Sequence, residues 1–212
     1  MIRLLLQLAA MLLFHAAVPA QGAVTITFWS HEFGNSFPHA FFTLRGIPDA
    51  GGPPVDRDWG FSPDTIGPAI LFGPVKGVIE QAKPAYLRGS DAQFSLVLTD
   101  AQYAAILALI DEWSPAGDPT YRLETRNCVH FVQEAARRAG LSVVDFPRLM
   151  KKPRSYLKAV AAANPQVTVI DRHGKQYLAT LPPIVMPTLP VPTSATALTP
   201  PSSPHPSTGS RR

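Results

Sequence analysis

Short apolar runs, several alternating with polar residues, fill the first hundred positions and predict strands. VTITFW (Val24–Trp29) alternates with threonine, HAFFTLRG (His39–Gly46) follows, and DRDWGFSP (Asp56–Pro63) reads as the return strand after the turn-rich IPDAGGPP. Further strands are expected at Ile70–Phe72, Gly77–Gln81 and Gln93–Thr99. The period then lengthens. In TDAQYAAILALIDEW, Thr99 and Gln102 form a capping box, and Tyr103, Ile106, Leu107 and Ile110 mark an apolar helical face. A second helix is predicted from Cys128 to Ala139, with Asn127 as N-cap and Gly140 as stop. Its buried stripe would be Cys128, Phe131, Val132, Ala135, Ala136 and Ala139, and Arg137 and Arg138 favour the dipole at its end. A third helix covers Pro153–Ala163, and QVTVIDRHGKQYLATL reads as a hairpin around His173 and Gly174. Strands followed by helices make this an α+β chain.

Composition refines the limits of the domain. Residues 1–22 carry Arg3, an apolar core from Leu4 to Val18, and small residues at Val18 and Ala20, which is an export signal or, failing cleavage, an anchor. Residues 23–163 form the expected domain, 164–181 a C-terminal hairpin extension, and 182–212 a proline-, serine- and threonine-rich tail too poor in apolar surface to fold. Net charge is +4, with a basic cluster at Arg148, Lys151, Lys152 and Arg154. No aromatic-studded basic stripe accompanies it, so no nucleic-acid partner is expected, and an anionic envelope surface suits the charge better. His31 opens HEFGN, but Asn35 stands where a zinc helix needs its second histidine, and no metal or other cofactor is expected.

An exported chain with a single cysteine cannot close an internal disulfide, so Cys128 is buried and inert, paired with another molecule, or reactive. Its place at a helix start favours thiolate, and the outward N–H groups could hold an oxyanion. His130 is a poor base, because residues two apart on a helix point about 200° apart. His173 and His205 fall in a turn and in the tail. His39 stands at the mouth of a strand, where the fold can hold its ring beside an open site, although a half-buried strand histidine needs no function.

PHAFFTLRG, DWGFSP, LTDAQYAAILALI and YRLETRNCVHFVQEAARRAGL, in that order, resemble the succession in circularly permuted papain-like (NlpC-type) cysteine hydrolases. The N-C-x-x-F setting adds a likeness to the lecithin retinol acyltransferase-like branch. The resemblance spans about Ser36 to Leu157 and implies a papain-like antiparallel sheet packed against a nucleophile-bearing helix. It implies Cys128 as nucleophile, His39 as general base, and a polar residue on the neighbouring strand that orients the imidazole. If the two strands pair around the Asp49–Gly52 turn, Ser62 falls opposite His39 and Asp58 near Thr43. Ser62 is then the third residue, with Asp64 behind it, and the oxyanion lies at the helix start around Asn127. The expected function is an exported cysteine hydrolase that cleaves an amide of a cell-wall peptide through an acyl-enzyme. The alternatives are an acyl or lipid hydrolase or acyltransferase, and an inactive envelope-associated binding module. Peptide, peptidoglycan and acyl substrates are the corresponding partners.

Overall fold

The computed structural model describes residues 23–32, 37–143 and 146–184; the expected export segment and nearly all of the expected tail lie outside them. Among the described residues seven strands form: β1 (Val24–His31), β2 (His39–Gly46), β3 (Val55–Pro63), β4 (Val75–Glu80), β5 (Asp91–Leu98), β6 (Thr120–Tyr121) and β7 (Thr168–His173). They make one antiparallel sheet in the order β6-β4-β3-β2-β1-β5-β7. The helices are α1 (Pro84–Arg88), α2 (Asp100–Trp113), α3 (Cys128–Arg138), α4 (Pro153–Ala162) and α5 (Gly174–Leu178). The protein is thus α+β, as its periodicities indicate.

Strand alternation divides the sheet between two cores. On one face Ile26, Phe28, Ala40, Phe42, Leu44, Phe61 and Phe94 are buried with α2, α3 and α4. The expected stripe of α3 is buried throughout, from Cys128 to Ala139. Phe131 anchors that helix, stacking on Phe42 at 5.4 Å and meeting Trp113 at 5.3 Å. The other face carries a smaller core, in which Tyr86 and Leu87 of α1 and Tyr177 and Leu178 of α5 cover Trp29, Phe41 and Ala92.

Three expectations change. Ile70–Phe72 is no strand: Pro68–Leu71 forms a 3-10 helix, because Pro68 lacks an N–H and Pro74 follows too soon for a ladder. The capping box of α2 is present, but its buried residues are Ile106, Leu109 and Trp113. The helix is turned so that Trp113 meets Phe61 edge-on at 4.9 Å, which leaves Leu107 exposed. Residues 164–181 form no hairpin and no separate extension. Instead β7 is the sheet's outer strand on β5, and the chain turns at Gly174 into α5. Gly174 N–H donates to Ser90 O at 2.7 Å, and the backbone there passes too close to the carbonyls of Leu87 and Ser90 for any side chain. Tyr177 then packs edge-on against Trp29 at 5.6 Å.

Candidate active site

The start of α3 is built by Asn127. Its Oδ1 accepts from Val129 N–H at 2.8 Å and His130 N–H at 3.2 Å, while its Nδ2 donates to Leu123 O at 2.7 Å and Met150 O at 2.8 Å. The amide is therefore spent on capping and on tying two loops to the helix start. It has no proton left for an oxyanion, so Asn127 positions the site instead. The N–H of Cys128 is the helix-start donor that this cap leaves out.

The helix delivers Cys128 against the backbone of β2. The N–H groups of Ala40, Val129 and Cys128 itself favour the thiolate, but burial outweighs them and pushes the thiol up to about 11. Ala40 follows His39, so the sulfur lies beside the peptide that joins them. By alternation His39 leaves β2 on the face opposite α3, where its ring stacks on Phe41 at 5.9 Å. Burial, with a smaller repulsion from His31, pushes its imidazole down to about 4. Among the described residues neither ring nitrogen of His39 makes a hydrogen bond, to the sulfur or to any other group. At neutral pH the resting pair is thus thiol and neutral imidazole, not an ion pair.

Cys128, His39, Ser62 and Asn127 line one cavity of about 800 Å³. The β2–β3 ladder pairs Thr43 with Asp58 and Phe41 with Gly60, and the same register carried two residues on sets Ser62 across from His39. Ser62 makes no hydrogen bond to the imidazole. Asp64 lies outside the lining and pairs with Lys76 at 3.6 Å. His130 faces a groove on the far side of α3, with Trp113 and Arg126, away from the sulfur. No group of three or more His, Cys, Asp or Glu side chains gathers as a metal site among the described residues.

Several residues that the sequence did not assign to the site also join it. Gly60 makes room for the imidazole of His39: a β-carbon there would collide with its Nε2. Asp58, one alternation away from Gly60, also lines the cavity; burial raises its carboxyl, and it accepts from Ala82 N–H. His31 pairs directly with His39 across β1 and β2, stacks on Tyr86 at 4.0 Å and bonds Ser90 Oγ through Nδ1 at 3.0 Å. The phenols of Tyr86 and Tyr121 are held protonated by burial first and by the charge that a Cys128 thiolate would carry, which sets both within electrostatic range of the sulfur. Most of the remaining wall is apolar: Phe37, Phe61, Ile66, Ile70, Leu71 and Met150.

Gly60→Ala is expected to displace the His39 ring while leaving the β3 backbone free to keep its place, since Gly60 has an ordinary negative-φ strand conformation. Any acyl transfer at Cys128 should fall roughly 10- to 100-fold, in line with misplacing a catalytic group by about 1 Å. Thermal unfolding of the variant and its rate of acylation, measured together, check this.

Comparison with family models, curated proteins and solved structures finds no match to this chain.

Proposed function

We propose that this chain is an exported cysteine-dependent acyl hydrolase or acyltransferase of the permuted papain-like kind, with Cys128 as nucleophile and His39 as general base. The observation that carries the reading is that the sulfur and the imidazole open onto the same cavity, whose wall is mainly aromatic and aliphatic. Such a wall suits the hydrocarbon part of an acyl donor better than a cell-wall peptide, whose amides and charges would meet a minority of polar side chains, chiefly Asp58, Ser62, Glu80, Gln81, Lys83, Lys151 and the phenols of Tyr86 and Tyr121.

In the proposed reaction His39 takes the thiol proton as the sulfur attacks the acyl carbonyl. The new C–S bond forms as the carbonyl π pair moves onto oxygen. That oxyanion is met by Cys128 N–H, with the phenols of Tyr86 and Tyr121 as further donors. Collapse breaks the ester or amide bond, and the imidazolium returns its proton to the leaving oxygen or nitrogen. Water or another acceptor, deprotonated by His39, then attacks the thioester and regenerates the thiol. Because the resting pair is neutral, the thiolate exists only during attack. Ser62, Asp58 and His31 are the polar neighbours from which the imidazole would take its orientation.

The test uses the full chain with soluble p-nitrophenyl esters of increasing acyl length and with peptide amides, read by intact mass. An acyl adduct on Cys128 that is absent in Cys128→Ala is expected, with its rate rising about fourfold per methylene until the cavity is filled. Faster turnover of the peptide amides would favour the cell-wall reading. A second reading, a non-catalytic binder of the same apolar ligand, draws on the deep burial of the thiol and the neutral pair. Saturable ligand binding with no adduct from any donor would establish that binder and overturn the enzyme.

A further inference from the structure

Four of the large apolar side chains that stand open to solvent crowd one place. Phe37 is 65% exposed, Ile66 60% and Leu71 71%, and all three line the cavity; Phe72, beside Leu71, is 85% exposed. Three of the four belong to the segment between β3 and β4, where Pro68 and Pro74, with Pro63 at the end of β3, restrict the backbone. The 3-10 helix within it buries no residue at all. Ile70 packs partly against the core, and the stiffened backbone keeps Ile66, Leu71 and Phe72 outward. Contiguous apolar surface of this kind, bordered by charge, marks a place where something else docks.

The surroundings select the occupant. Lys83 and Lys151 belong to the same lining, which also holds Asp58 and Glu80; Glu124 pairs with Lys151 and Asp64 with Lys76, and exposed Lys152 and Arg148, which adjoin Lys151 in the chain, leave the rim a small positive excess. The chain as a whole carries +4. A protein partner or a second copy seated on this rim would seal the cavity that the rim surrounds. A bilayer would not, because an acyl chain can pass from its hydrocarbon region along Phe37, Ile66 and Leu71 to Cys128 without crossing water. We propose that the 64–74 segment and Phe37 insert into the surface of an anionic lipid bilayer, with the neighbouring lysines against its headgroups. The inference builds on the acyl reading of the cavity by naming where the donor comes from.

Because the chain has a single cysteine, one position can be reported on cleanly. Full-length protein with Cys128→Ser and Phe72→Cys, carrying an environment-sensitive fluorophore at position 72, is mixed with vesicles of phosphatidylcholine and phosphatidylglycerol. A matched protein carries the label at Val97, which is 59% exposed on β5. The label at position 72 should shift to the blue and brighten, more strongly with phosphatidylglycerol than with phosphatidylcholine alone, while the label at 97 stays in water. Ile66→Asp with Leu71→Asp should weaken that response at least fivefold. Equal behaviour at the two positions would overturn the proposal, as would a blue shift that depends on protein concentration without vesicles. An acyl adduct on Cys128 of the unlabelled parent from soluble esters, with the position-72 label of the Cys128→Ser protein still in water, would remove the docking alone. Insertion of the labelled protein, with no adduct on the parent's Cys128 from any donor, would remove the acyl-transfer reading instead.

Discussion

His39→Ala is expected to slow acylation of Cys128 at neutral pH by about 10²- to 10⁴-fold, the range that a positioned general base supplies. His130→Ala should leave it within about twofold, since His130 faces the groove on the other side of α3. The pH profile separates a lost base from a damaged fold. With the thiol pushed up to about 11, the thiolate fraction should rise about tenfold per pH unit from pH 7 toward 10. Alkylation by a small electrophile should follow that rise in both the parent and His39→Ala, because hydroxide can remove the proton without the imidazole. Acyl transfer in the parent should instead be supported from about pH 5 upward, because an imidazole pushed down to about 4 is neutral and able to accept a proton throughout that range. An alkylation plateau below pH 8 would mean a preformed thiolate–imidazolium pair and would contradict the burial described here.

The parts of the site that could be read from the residues are those that local physics determines. The capping geometry of Asn127 and the six-residue stripe of α3 follow from a polar residue before a 3.6-residue period, and both are present. The β2–β3 register followed only on the condition that the strands pair around the Asp49–Gly52 turn, since a loop of that length fixes no offset by itself, and the ladder takes that register with Thr43 on Asp58 and Phe41 on Gly60. What stayed hidden depends on partners chosen at long range. Nothing in SHEFG says that β1 will lie beside β2 and set His31 across from His39. Five residues of α1 and two of β6 are too few to show a period, yet they bring Tyr86 and Tyr121 to the cavity that Cys128 lines. The apolar wall of the cavity comes from segments scattered between Phe37 and Pro153, so its character emerges only when the sheet has closed over them.

Phe131→Ala should destabilise the protein by about 3–5 kcal/mol, the cost of removing a fully buried aromatic ring. Phe131 is 0% exposed and lies among Phe42, Phe61 and Trp113, so the vacated volume is walled by three large rings that cannot all move inward. Denaturant unfolding followed by tryptophan fluorescence reads the loss, with Trp113 as a local reporter. The functional consequence separates two accounts of Cys128. Phe131 lies three residues, about one turn, beyond it and pins α3 to β2, and the thiol is held up at about 11 because that docking buries it. Loosening the helix should therefore expose the sulfur, lower its apparent pKa toward about 8.5 and speed simple alkylation. Acyl transfer should fall in the same variant, because the sulfur would no longer be held against the backbone that follows His39. Faster alkylation with slower acyl transfer is what a nucleophile positioned by its helix predicts. An inert core cysteine would gain the first change and have no second activity to lose.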